Sequence, residues 1–169
     1  MAKTLSILLI ILIPLFSFSQ DLSGLWVGTL SNDSTKEVLK YEVLIKKEGK
    51  NYTAFSQTWF VINNETYYGI KKMKTWVAKD QKIILADEML IANNYPLQVN
   101  KKLKQLNVLD FRLNNGEAIM SGDFETNTTK EYRSLTGMVH LKKQAVPYNS
   151  SLVNFLKEKS LSSPLVMGK

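Results

Sequence analysis

From Leu22 to Gln144 the chain is a succession of short segments rich in Val, Ile, Leu, Tyr, Phe, Trp and Thr, separated by clusters of Asn, Asp, Gly and Lys. Within the segments apolar residues tend to recur at alternate positions, the period of a strand with one buried face. The pattern predicts strands over Gly24–Leu30, Tyr41–Lys47, Tyr52–Ile62, Thr66–Ala78, Lys82–Ala92, Leu103–Leu113, Glu117–Glu125 and Leu135–Lys143. In the second, Tyr41, Val43 and Ile45 share one face, with Glu42 and Lys46 on the other. The fifth sets Ile83, Leu85, Met89 and Ile91 on one side, interrupted by Asp87. The sixth places Gln105 and Asn107 in step with Leu103, Leu109, Phe111 and Leu113.

The breaks have turn chemistry. Glu48-Gly49-Lys50-Asn51, Asn63-Asn64-Glu65 and Asn114-Asn115-Gly116 carry residues that tolerate the positive φ of tight hairpins. Strands joined by consecutive hairpins either close into a barrel or fold into two packed sheets, because an open meander of this length leaves long edges exposed. The expected fold is therefore all-β, an antiparallel up-and-down meander of about eight strands, closed as a barrel. Past Gln144 the pattern changes: Ser150 or Ser151 caps a short helix running to Lys159, with Leu152, Phe155 and Leu156 on one side, and residues 160–169 read as a tail.

The start of the chain reads differently. Lys3 precedes an apolar run from Leu5 to Phe18, and Ser17 and Ser19 stand two apart before Gln20. That is the order of a cleavable secretory signal, and the run is short for a membrane span. The expected organisation is a signal over 1–19, a barrel domain over 20–146, and a helix and tail over 147–169. Export places the protein in the periplasm or outside the cell. With no cysteine in the chain, neither a disulfide framework nor a lipidated cysteine is available. The formal net charge of +7 favours anionic surfaces such as envelope glycans. The lysines nevertheless come in short groups suited to solvated strand faces, and export argues against a nucleic-acid partner.

The opening of the first strand, Leu22-Ser23-Gly24-Leu25-Trp26-Val27-Gly28-Thr29-Leu30, resembles that of the calycins, the lipocalin, fatty-acid-binding and avidin group of barrels, and that of short exported bacterial domains. The resemblance rests on Gly24-x-Trp26 and on the strand count; the group's Thr-Asp-Tyr signature is missing. It implies a lipocalin-like barrel in which Trp26 plugs one end beneath a basic residue from a late strand, and Arg133 is the candidate for that residue.

Catalytic chemistry is sparse. His140 is the only histidine, so clustered zinc or redox ligands cannot be assembled, and no metal or other cofactor is expected. On the eighth strand it falls in step with Met138 and Lys142, as a surface or rim residue does. Asp87 is the carboxylate best placed for acid/base work, because it interrupts an apolar face. No nucleophile elbow, phosphate-binding loop or calcium-loop spacing occurs, and an enzyme is not expected. The densest feature is the aromatic hairpin of Tyr52, Phe55, Trp59, Phe60, Tyr67, Tyr68 and Trp76. The leading expectation is a barrel binding a small apolar or amphipathic ligand through Gln105, Asn107, Trp59, Tyr68 and Trp76. The alternative is an envelope or cell-surface interaction module whose aromatic face meets a glycan or a protein.

Overall fold

The structure, a computed structural model, describes residues 21–97, 102–145 and 149–159. The signal over 1–19 and the tail over 160–169 lie outside the described residues. The strands are β1 (Gly24–Asn32), β2 (Val38–Glu48), β3 (Asn51–Ile62), β4 (Glu65–Val77), β5 (Ile83–Asn93), β6 (Gln105–Asn114), β7 (Glu117–Thr126) and β8 (Thr136–Lys143). The helix α1 (Ser151–Glu158) follows. Each strand pairs antiparallel with the next, and β8 returns to β1 from Trp26↔Lys143 to Asn32↔Gly137, closing the sheet into a barrel. Closure over two packed sheets is the outcome. It gives the main chain of the first and last strands partners instead of exposed edges.

Turn chemistry sets the register. Asn63 and Asn64 take φ of 51° and 65°, and Asn115 and Gly116 take 50° and 83°, so both hairpins reverse with left-handed turns matched to strand twist. The closing seam depends on Gly28, where a Cβ would stand 1.9 Å from the His140 carbonyl oxygen. No other residue fits that approach of β1 to β8 without moving main chain.

The two ends of the barrel differ. At the end where β1 begins and β8 finishes, Trp26 is fully buried among Val43, Ile45, Ala54, Met73, Leu109, Met120 and Leu141. Its indole N–H donates to the Leu22 carbonyl at 2.9 Å, so burial leaves no polar atom unpaired, and Phe111 meets it edge to face. Lys143 Nζ lies 5.7 Å from the ring centroid and donates to the Asp21 carbonyl at 2.7 Å. The basic residue over the plug is thus Lys143 at the end of β8. Arg133 is exposed in the loop between β7 and β8, at the opposite end. Removing so large a buried side chain costs about 3–5 kcal/mol.

One expectation about faces changes. The side chains of β5 do not keep one phase, because the register against β4 shifts between Ile70 and Lys71 and again between Lys72 and Met73. Ile83 and Leu85 stay in the core, Met89 becomes exposed, and Ile91 packs on the outside of the barrel. A bulge resets side-chain alternation, and simple periodicity cannot see it. Glu42 lies on the face opposite Tyr41 and Val43, as expected, and is nevertheless completely buried.

The cause is α1, which lies on the outer face of β2, β3 and β4. Leu152 and Leu156 are fully buried there with Leu44, Phe55 and Ile70. Ser150 caps the helix by accepting from Val153 N at 3.1 Å, and its hydroxyl donates to Glu42 Oε2 at 2.6 Å. Glu42 Oε1 faces Lys40 Nζ at 3.0 Å. Ser151 donates to Gln57 Oε1 at 3.1 Å, and Gln57 is the cross-strand neighbour of Glu42. The first two serines of the helix thus fasten to two buried polar side chains on adjacent strands.

Candidate functional site

The end opposite Trp26 is bevelled. β3, β4 and β5 run on to Ile62, Glu65 and Asn93, whereas β6 begins at Gln105 and pairs with β5 only from Ile83↔Leu109 to Ala86↔Leu106. Above Ala86 the tall side of the barrel faces a loop instead of a strand. A cavity of about 500 Å³ opens there. That volume lies within the range of about 300–1,000 Å³ usual for small-molecule sites.

Its walls are apolar: Phe60 and Ile62 from β3, Met89 and Leu90 from β5, Pro96, Leu97 and Leu103 from the β5–β6 loop, and Leu135 ahead of β8. Tyr95 and Tyr132 join them. Tyr95 reaches inward because Gly69 has no side chain; a Cβ at Gly69 would meet the Tyr95 hydroxyl at 1.8 Å. The Tyr95 and Phe60 rings sit 5.2 Å apart, and Phe60 stacks on Tyr67 at 5.8 Å.

The charged groups of the cavity are Lys71, Asp87 and Lys104. Lys71 Nζ donates to Asp87 Oδ2, which also accepts from the Gln105 main-chain N–H at 2.9 Å. The Asp87 side chain is 3% exposed and that of Lys71 is 26% exposed, so the ammonium is the member of the pair that a ligand meets. Lys104 Nζ donates to the Glu88 carbonyl, where the β5 main chain has lost its β6 partner. Burial, and then the negative charge of Asp87, raise the Tyr95 phenol above its ordinary pKa.

Beneath the cavity runs a layer of buried polar groups. Asn107 Nδ2 donates to the Leu85 carbonyl at 3.0 Å, and Asn107 Oδ1 accepts from Gln105 Nε2 at 2.7 Å. Tyr41 is fully buried, and its hydroxyl donates to Met73 Sδ at 3.9 Å. Burial, followed by the charge of Asp87, pushes this phenol well above its usual value. The layer separates the cavity from the packed core around Trp26.

The residues expected to meet a ligand are distributed accordingly. Gln105 and Asn107 do face inward, but each answers the other, and neither lines this cavity. Trp59 and Tyr68 pair across β3 and β4 on the outer face. Trp59 lies under Lys40 Nζ at 4.3 Å, and Tyr68 packs against the cluster beneath α1. Their phase is outward because Phe60 and Gly69 hold the inward positions beside them. Trp76 is 45% exposed near the closed end. Asp87 is in the cavity, as its interruption of an apolar face suggested. Lys71 was not foreseen, although its place two residues before Met73 in an alternating strand was a legible sign; in the register Met73, not Lys71, stands opposite Asp87. His140 is exposed. Among the described residues no three or more His, Asp or Glu side chains come together in a group able to hold a metal ion.

The arrangement can enclose an apolar body, shield it from water and offer ammonium donors at its inner end. Comparison of the chain with protein-family models, curated proteins and solved structures returned no match.

Proposed function

We propose that this chain is an exported, non-enzymatic, calycin-like barrel that holds a small apolar or amphipathic ligand in the cavity between β3, β5 and the β5–β6 loop. The observation that carries the reading is an apolar chamber of about 500 Å³ at one end of a barrel whose other end is filled by Trp26 and its neighbours. A chamber left unfilled by the protein's own side chains forgoes dispersion contacts and leaves apolar surface wet; an apolar ligand restores both. The envelope-interaction alternative draws less support, because Trp59 and Tyr68 are engaged by Lys40 and by the helix cluster.

Native mass spectrometry of the protein purified from its exporting host tests the reading. A copurifying small molecule, displaced when Leu90→Trp fills the chamber, is the expected result. A ligand-free barrel whose melting temperature stays unmoved by a panel of fatty acids, alcohols, sterols and pigments overturns it. The export component is tested by the amino terminus of the exported protein, expected at Gln20.

A further inference from the structure

The inner end of the cavity holds two ammonium groups and one carboxylate, and the three are not equally available. Asp87 is shielded, and its Oδ2 is already shared between Lys71 and the Gln105 N–H. Lys71 has three N–H donors and gives one to Asp87; Lys104 gives one to a neutral carbonyl, that of Glu88. Glu88 itself turns its carboxylate to Lys72 at 3.1 Å. Among the described residues no other carboxylate lines the chamber. Among the described residues the chamber is thus lined by two ammonium groups against one carboxylate, within otherwise apolar walls, where a charge-assisted hydrogen bond to an anion is strong.

We propose that the ligand is a singly anionic amphiphile that enters head first, its anionic group accepting from Lys71 and Lys104 and its apolar chain lying along Phe60, Leu90 and Leu135 toward the mouth. Lys71 is then the residue that selects the head group, and Asp87 restrains the affinity by occupying part of that ammonium. This inference rests on the ligand-holding reading above. It adds the charge of the ligand and its direction.

The test is isothermal titration of the purified protein with dodecanoate, dodecanol and dodecyltrimethylammonium below their micelle-forming concentrations. Dodecanoate is expected to bind at least about tenfold tighter than dodecanol, the size of one charge-assisted hydrogen bond, and the cation more weakly than either. Two substitutions act in opposite directions. Lys71→Gln removes the preference for dodecanoate over dodecanol. Asp87→Asn keeps an acceptor for the Gln105 N–H, releases Lys71 and strengthens dodecanoate binding several-fold, leaving dodecanol unchanged. If Lys71→Gln fails to fold over a buried Asp87, the Asp87→Asn result and retention of the preference in Lys71→Arg carry the test. Equal binding of dodecanoate and dodecanol overturns the head-group inference and leaves the cavity reading standing. Binding of none of the three overturns both.

Discussion

Replacing Ser150 by alanine tests how α1 is held. The hydroxyl has two duties: it caps the helix by accepting from Val153 N, and it donates to the buried carboxylate of Glu42. Loss of a serine cap costs about 1 kcal/mol. Withdrawing a donor from a buried carboxylate costs a further 1–3 kcal/mol or so, and the remaining partner, Lys40, is itself 48% exposed and screened by water. The sum is about 3 kcal/mol, which for a domain of this size lowers the melting temperature by roughly 10 °C. Urea denaturation of wild type, Ser150→Ala, Glu42→Ala and the double variant separates the two duties. The cap is indifferent to residue 42, whereas the hydrogen bond appears as a coupling of about 1–2 kcal/mol. A cost for Ser150→Ala no larger than that of the cap, with no coupling to Glu42, would refute the claim that the helix is fastened to the barrel through this carboxylate.

Other consequences follow from the interior. Because the folded-state pKa of Tyr41 is raised, the folded state holds that proton longer than the unfolded chain does. The stability this contributes is complete below the unfolded tyrosine pKa of about 10 and is lost as pH rises beyond it. Tyr41→Phe is expected to flatten the alkaline limb of a stability-against-pH curve, and an unchanged limb contradicts the assignment. Asn107→Leu strands the Gln105 amide and the Leu85 carbonyl and is expected to cost about 1–3 kcal/mol in denaturant. Gly69→Ala pushes the Tyr95 hydroxyl aside. It is expected to alter dodecanoate affinity while moving the melting temperature less than Gly28→Ala, whose Cβ meets main chain; the reverse order in a thermal shift assay counts against this account of the two glycines.

The strands and their order were legible because each hairpin is written twice, once as alternation and once as turn chemistry; Asn115-Gly116 and Asn63-Asn64 adopt the backbone their residues favour. The Trp26 plug was legible through the resemblance carried by Gly24-x-Trp26. Its cationic neighbour was not, since Lys143 and Arg133 differ by the end of the barrel they occupy, which depends on the seam between β1 and β8. The ligand-contact expectations misplaced the aromatic residues for a related reason. Trp59 and Phe60 are adjacent, one must face out, and only the pairing with Tyr68 and Tyr67 decides which. The burial of Glu42 was not legible because a helix far along the chain covers it. The cavity itself was hidden in an irregularity: the register shifts of β5 against β4 break its alternation, so that the successive residues Met89 and Leu90 both line the chamber.

The short pairing of β5 with β6 has a mechanical meaning. Up to Ala86 the sheet is a complete hoop, and every strand is restrained from both sides; above Ala86 the hoop is cut, and Asp87 and Lys104 bridge the cut with side chains where a ladder of main-chain bonds would otherwise run. Two side-chain bonds yield at less cost than a ladder, so this sector breathes first and its amide protons exchange ahead of those lower in the same strand. The protein thus combines a stiff base with one compliant sector, and the compliant sector borders the chamber.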